Sequence, residues 1–413
     1  MSAQAREYVV VGLNHRMAPV AQRERFAVEP AGLAAALGAM RGAGVEEAVL
    51  LSTCNRVEWY LASHEPEAAV SAASAFFGDG VPIRAQVGPG AVRHVFRVTG
   101  GLDSMILGES QILGQVRVAF AAGQGAGTVG PFLDALFRAA LAAGRRVRRE
   151  TDIVGVTASV PSAAVVHAAR LLGSLRGSRV LVIGAGKMGE ATARAMVEAG
   201  ARAVVVANRT VEAAREIAAP FGGAVVPLDR VGAELARADV AIVGTGAPGV
   251  ILDAAAVAAA CSARATALVV IDIAVPRNVD PAAGRLPGVH LYDIDDLIAI
   301  PSERGAGTAG VQRAEALIED DAQRFLRERA GRGAAALIAE ARADADAILA
   351  CEWDRARARL AALSADEEAV VRAVLHRVVN KLLHRPIAAL VAAAESGRVA
   401  PEAPGAESAG EGR

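Results

Sequence analysis

At 413 residues the chain is too long for one core, and division by about 150 residues per domain gives two or three domains. Hydrophobic residues make up 53% but aromatics only 3%, so the apolar content is alanine and short aliphatics, which favours helices and α/β layers over an aromatic β-sandwich. A formal net charge of -1 excludes a global pull on polyanions, so any nucleic-acid partner must be met by a local patch.

Charged residues interrupt every apolar run before it reaches the ~20 residues that a spanning helix needs. The polar start Met1 to Glu7 leads directly into Tyr8-Val9-Val10-Val11 without an apolar signal core, so the expected location is cytoplasmic, with no membrane partner. Cys54, Cys261 and Cys351 are odd in number and far apart, which argues against a disulfide framework and a zinc cluster; no metal site is expected.

The first stretch reads as mixed α/β. Tyr8 to Leu13 is a β-branched strand ending at Gly12-Leu13-Asn14-His15, and Pro30 opens an alanine-rich helix to about Met40, closed by Gly42 and Gly44. Ala48-Val49-Leu50-Leu51 is a second strand that delivers Ser52-Thr53-Cys54-Asn55-Arg56, a thiol beside a fixed charge. The thiolate is the reactive form of cysteine, so Cys54 is a candidate nucleophile; the bland reading is a small buried hydrophobe. Arg56 can serve either to favour the thiolate or to bind a substrate carboxylate through its planar fork. Val57 to Leu61 alternates as a partner strand, and Ala91 to Val98 reads as a helix carrying His94, a lone histidine of the kind that is more often a packed or capping residue than a catalyst. Gly100 to Gln115 is dense in Gly, Asp, Ser, Glu and Gln between apolar residues, as a polar-lined turn feeding a helix requires. Arg145-Arg146-Val147-Arg148-Arg149 is a basic cluster, a solvated helix face or a phosphate contact.

The second stretch alternates strand and helix. Val180-Leu181-Val182-Ile183 precedes Gly184-Ala185-Gly186-Lys187-Met188-Gly189 and an alanine-rich helix to about Glu198, the strand–turn–helix setting of a dinucleotide fingerprint. In it Gly184 permits the tight turn, Gly186 lets the backbone approach a pyrophosphate, and Gly189 allows close helix–strand packing. The strand Ala203 to Ala207 ends in Asn208-Arg209-Thr210, where a ribose-binding acid would stand for NAD; an arginine with amide and hydroxyl neighbours suits a 2′-phosphate instead, which favours NADP. Strands at Val240 to Val243, Ala267 to Ile271 and Val289 to Tyr292 complete a parallel doubly wound sheet of Rossmann type.

From Val311 the pattern is helical and charged, with apolar stripes that a second copy would cover. Gly331 and Gly333 are expected to interrupt the first helix, and Ser364-Ala365-Asp366-Glu367 reads as a capping box opening another. The tail from Ser396 is rich in Glu, Gly, Pro and Ala and is expected to be disordered. The expected division is 1–158, 159–308, 309–395 and the tail 396–413.

Taken together, Gly12 to His15 with Ala18-Pro19, Ser52 to Arg56, Gly101 to Gln115, Gly184 to Gly189, Ile271 to Arg277 and Asn380-Lys381-Leu382-Leu383-His384 stand in the order seen in glutamyl-tRNA reductases, and the chain resembles that family over most of its length. The resemblance implies an N-terminal catalytic domain, an NADPH-binding Rossmann domain and a C-terminal helical dimerisation domain. It also implies reduction of glutamyl-tRNA to glutamate-1-semialdehyde through a Cys54 thioester, the first step toward 5-aminolevulinate and tetrapyrroles. By the same resemblance His94 matters for activity, and Thr53, Asn55, Arg56, Ser104, Glu109, Ser110, Gln111 and Gln115 form the glutamyl site, with Ser110 standing where the family usually has proline. A homodimer is implied, with a transient complex with glutamate-1-semialdehyde aminomutase as a further partner. The rival readings are a shikimate-type NADP-dependent dehydrogenase, a non-catalytic tRNA-binding protein and a dinucleotide-sensing scaffold.

Overall fold

The computed structural model describes residues 6–104, 111–151, 153, 160–184, 186–262, 264, 266–298, 308–357, 359–360 and 363–395. Its first part contains β1 (Glu7–Asn14), α1 (Val20–Arg23), α2 (Leu33–Gly42), β2 (Glu47–Ser52), β3 (Arg56–Ser63), α3 (Pro66–Phe77), β4 (Arg84–Val87), α4 (Pro89–Gly100), α5 (Gln111–Gly125) and α6 (Pro131–Glu150). The strands form an antiparallel sheet in the order β2-β3-β1-β4. One face packs against α4, α5 and α6 through Tyr60, Phe96, Phe120 and Phe137, and the other against α2 and α3 through Trp59, Leu37 and Phe77. With both faces covered, every residue of β3 is buried, charged ones included. Pro30 opens a single 3₁₀ turn, Pro30–Gly32, before α2 proper.

The second part contains α7 (Val160–Leu172), β5 (Arg179–Ile183), α8 (Lys187–Glu198), β6 (Ala203–Ala207), α9 (Val211–Ala218), β7 (Ala224–Val226), α10 (Val231–Leu235), β8 (Val240–Val243), α11 (Ala254–Cys261), β9 (Leu268–Asp272), β10 (Val289–Tyr292) and α12 (Ile294–Ile298). All six strands are parallel, ordered β10-β9-β8-β5-β6-β7. The order reverses between β5 and β8, the switch point where such sheets bind ligands outside their carboxyl ends. The doubly wound sheet is as expected, with the short edge strand β7 in addition.

The third part is two helices, α13 (Thr308–Ala356) and α14 (Ala365–Glu395). The expected break at Gly331 and Gly333 is absent: α13 runs through both. Each glycine costs roughly 1 kcal/mol in a helix interior. Against this, Ile318, Phe325 and Leu326 of α13 enter the core beneath α4 and α6, at about 1.5–3 kcal/mol for each large side chain buried, and Ala330 and Ala334 pack with Leu337 and with Leu390 of α14. Packing therefore outweighs propensity. It also corrects the expectation that the apolar stripe of α13 waits for a second copy, because its first half is covered by the chain's own N-terminal part. The capping box forms as read, with Ser364 N donating to Glu367 Oε2 at 2.9 Å and Glu367 N to Ser364 Oγ at 3.4 Å. The tail from Ser396 lies outside the described residues.

Candidate active site

The turn between β2 and β3 is built by Thr53, whose Oγ1 accepts the backbone N–H groups of Asn55 and Arg56, both at 3.2 Å. The backbone closes it, with Thr53 N donating to Arg56 O and His15 N to Asn55 O, each at 2.9 Å. Cys54 sits half-buried at the tip.

Beneath the turn lies a buried charge network. The guanidinium of Arg56 is fully buried; Nη1 donates to Glu58 Oε1 and Asp103 Oδ2, each at 3.0 Å, and Nη2 to the carbonyl of Asp103. The other oxygen of Glu58 takes the Tyr60 hydroxyl and stands 3.1 Å from His94 Nε2. Burial alone would push the Glu58 carboxyl up, but the charges of Arg56 and His94 outweigh it and hold the group well below the usual carboxylate range. Burial, then Arg56 and Arg16, push His15 down to about 4, so its imidazole is neutral at pH 7. Gly12, directly across from Glu58 in the sheet, makes room for this packing: a Cβ there would stand 2.3 Å from Val57 O and 2.8 Å from Glu58 Cγ.

In this arrangement the Arg56 guanidinium is already engaged within the protein. A guanidinium with no solvent contact must be paired inside the protein, and Glu58 and Asp103 already do that. Arg56 Nε and Ser104 Oγ are buried without a hydrogen-bond partner among the described residues. Gln111 and Gln115, one turn apart on α5, line a cleft of about 420 Å³ with Ser52 and Lys187. Glu109, Ser110 and Ala185 lie outside the described residues.

At the carboxyl ends of β5, β6 and β8, a second cavity of about 480 Å³ is lined by Ile183, Asn208, Arg209, Leu228, Thr245 and Gly246, among others. Arg209 is exposed on its rim, and Asn208 Nδ2 donates to Thr210 O at 3.1 Å. The glycines of the fingerprint differ in what they permit. Gly184 has φ +109°, and a Cβ there would stand 2.3 Å from Gly244 O; at Gly189 a Cβ would only touch Val182 at 3.6 Å. A methyl at Gly184 would therefore push the turn after β5 off the turn after β8, at the sheet end where a dinucleotide phosphate would sit. Gly184→Ala is expected to weaken dinucleotide binding by about tenfold or more, roughly 1.4 kcal/mol, while Gly189→Ala stays near wild type. Fluorescence titration with the reduced cofactor checks this, and equal losses at both positions would show that the clash at Gly184 does not set affinity.

The two halves meet at the cysteine. Cys54 packs against a cluster made mainly by the cofactor-binding half, with Val180, Ile271 and Ile273 in it and Met188 and Val275 at its edge, and Gln111 Nε2 lies 4.0 Å from Met188 Sδ. A buried Asp272–Asn278 pair ties the loops after β8 and β9 together: Asp272 accepts the N–H groups of Ala274, Asn278 and Val279, and Asn278 Oδ1 accepts the Thr245 hydroxyl at 2.6 Å. Burial pushes the Asp272 carboxyl up to about 6, with those three amides acting against it.

Sequence reasoning passed over Glu58, Tyr60, Asp103, Asp272 and Asn278. Glu58 stood in the alternating run Val57 to Leu61 without a role; the signal was Gly12, a residue without a side chain in the strand that pairs with it. The basic cluster also changes character. Arg146 is ion-paired to Asp321 of α13 at 2.8 Å and to Glu150 at 3.1 Å, so it anchors the long helix, while Arg145 remains exposed.

In comparison with known proteins, three family models match successive stretches of the chain. The glutamyl-tRNA(Glu) reductase N-terminal domain matches residues 11–151, shikimate/quinate 5-dehydrogenase residues 166–300, and the glutamyl-tRNA(Glu) reductase dimerisation domain residues 313–403. Among curated relatives, the glutamyl-tRNA reductase of Moorella thermoacetica is 42% identical over 402 residues, covering 94% of this chain and 90% of the relative. That of Rubrobacter xylanophilus is 41% identical over 404 residues, covering 94% and 92%. The solved glutamyl-tRNA reductase from Methanopyrus kandleri aligns over 94% of this chain and 98% of its own, with 33% identity and a TM-score of 0.48. No described helix is long and apolar enough to cross a membrane. The middle part is a nicotinamide-cofactor-binding unit by its match to the dehydrogenases, and with relatives above 40% identity along nearly its whole length the chain belongs to the glutamyl-tRNA reductase family of oxidoreductases.

Proposed function

We propose that the chain reduces glutamyl-tRNA(Glu) with NADPH, releasing tRNA and glutamate-1-semialdehyde, through a thioester on Cys54, at the first step of 5-aminolevulinate and tetrapyrrole synthesis. The observation that carries this reading is the setting of Cys54: a half-buried thiol on a turn of one half, packed against the apolar edge of the cofactor-binding half.

In this reading the Cys54 thiolate attacks the ester carbonyl, the C–S bond forms, and the bond to the terminal ribose oxygen breaks, with a proton passing to that oxygen as the tRNA leaves. NADPH, when bound, supplies hydride to the acyl carbon. The hemithioacetal on Cys54 then expels its thiolate and the aldehyde departs. Gln111, Gln115 and Ser52 face the cleft beside the turn, while Arg56 Nε and Ser104 Oγ are buried and have no hydrogen-bond partner among the described residues. Thr53 and Asn55 shape the turn itself. His94, held by Glu58, orients the network under the turn. Two copies pair through α14, where Val370, Val374, Val378 and Leu382 are exposed at a spacing of four.

Oxidation of NADPH followed at 340 nm should start on adding glutamyl-tRNA and not on adding free glutamate; oxidation with neither, or with a shikimate-type substrate, sinks the reading. Cofactor choice rests on Arg209. A charge-assisted hydrogen bond to a 2′-phosphate is worth roughly 1.5–3 kcal/mol, and exposure of Arg209 favours the low end, or about tenfold. Arg209→Ala should therefore lose most of the NADPH-over-NADH preference in kcat/KM. A variant that keeps the preference moves the phosphate contact elsewhere.

A further inference from the structure

Arg23, in the short helix α1, has no solvent exposure, yet it carries a full charge. Its Nε donates to the backbone carbonyl of Cys54 at 3.1 Å and its Nη1 to Ala18 O at 2.8 Å. The remaining edge of the guanidinium grips Asp295, in the first turn of α12 of the cofactor-binding half, at 2.8 Å (Nη2–Oδ1) and 3.3 Å (Nη1–Oδ2). Asp295 Oδ2 also accepts Val20 N at 2.6 Å. One planar group therefore spans the nucleophile's own main chain and a carboxylate of the other half, separated by 272 positions in sequence.

The next residue repeats the bridge with opposite polarity. Glu24 accepts from Arg277, in the loop after β9, through its backbone N at 3.0 Å, Nε at 3.0 and 3.2 Å and Nη2 at 2.6 Å. Cation followed by anion on one side meets anion and cation on the other, so a displacement that brought Arg23 toward Arg277, or Glu24 toward Asp295, would set like charges together. The crossed pairs thus specify one relative placement of the cysteine turn and the loop that follows β9.

We infer that Arg23 is a positioning residue for the reduction step: held by Asp295, and kept in register by Glu24 and Arg277, it sets the Cys54 main chain at the distance from the cofactor site that hydride transfer needs. This inference rests on the thioester reading above. Acylation needs only the thiol and the tRNA ester, whereas reduction needs the acyl group and the cofactor in one geometry. A misplacement of about 1 Å can cost two orders of magnitude in such a step. Loosening the bridge therefore slows reduction and leaves the acyl group to water, which adds to the thioester carbonyl and releases free glutamate and the thiol.

Full-length Asp295→Asn and Arg277→Ala, with radiolabelled glutamyl-tRNA, test this. Without NADPH, acid-stable label on the protein reports acylation, with Cys54→Ser as the blank; with saturating NADPH, a single turnover reports aldehyde against free glutamate. Both variants are expected to acylate within about threefold of wild type and to reduce about tenfold more slowly or worse, with glutamate replacing aldehyde. The double exchange Glu24→Arg with Arg277→Glu should recover most of the reduction that Arg277→Ala loses. Parallel loss of acylation and reduction, or reduction at the wild-type rate in both variants, overturns the inference while the thioester reading stands. No Cys54-dependent label on the wild type overturns both.

Discussion

Cys54→Ser is expected to abolish NADPH oxidation on glutamyl-tRNA while NADPH binding and thermal stability stay at wild-type values. The turn should persist, because it is held by Thr53 Oγ1 and by main-chain bonds, and serine is close to cysteine in size. The chemistry does change: a serine hydroxyl without a matched base is a poor nucleophile, and loss of a nucleophile typically costs roughly 10³-fold or more. The comparison is made at saturating NADPH, with cofactor titration and a melting curve on the same preparations. Turnover above a few per cent of wild type would remove Cys54 from the mechanism.

The second large effect is expected from Glu58→Ala. Its carboxylate is shared by Arg56, His94 and Tyr60, of which Arg56 and Tyr60 are buried in the first half's interior. Removing one partner of a buried ion pair costs roughly 3–5 kcal/mol, since the remaining charge keeps its desolvation penalty. At roughly 2–4 °C per kcal/mol for a unit of this size, the melting of the first half should fall by about 10 °C. Asp103 remains to hold Arg56, which tends toward the lower part of the range. The pH dependence has a definite sign. The folded-state pKa of Glu58 is depressed, so its contribution is fully present above the ordinary glutamate value of about 4.3 and is lost as pH falls below it toward the folded value. The gap between wild type and Glu58→Ala should be flat from about pH 5 to 8 and narrow below about pH 4. Glu58→Gln, which keeps the volume, should lose less. A Glu58→Ala protein as stable as wild type would mean that Arg56 finds equal compensation elsewhere.

Much of the architecture was legible because it is local. Val180 to Ile183 reads as a buried strand, the following glycines as a turn, and Ser364 with Glu367 as a reciprocal cap, each within a few residues of chain. β4 and β7 were missed for the opposite reason: Arg84-Ala85-Gln86-Val87 and Ala224-Val225-Val226 are short edge strands whose identity comes from the neighbour they pair with. At the site, the motif residues stood out by type, but what surrounds them did not. Asp103 reaches Arg56 across 47 positions and Asp295 reaches Arg23 across 272, distances over which no periodicity carries information. Arg56 illustrates this: its type drew attention to the motif, but the buried strand β3 also places Glu58 beside it, a partner that the motif did not announce. The glycines of α13 mislead in the other direction, since a local cost was read without the contacts that outweigh it.

The course of α13 has a consequence for what counts as a module. Residues 313–403 match the dimerisation region as a continuous stretch, yet Ala314, Ile318, Ala322, Phe325 and Leu326 lie in the same core as Tyr60, Phe96 and Phe137. One matched stretch therefore holds both the exposed apolar face of α14 and the residues of α13 that complete the first half's interior. Cut at the helix's start, the first half would lose part of its own interior; grafted elsewhere, the pairing region would carry an orphaned apolar surface. A change at Phe325 is therefore felt in the interior of the first half, although the residue lies inside the stretch that matches the dimerisation region.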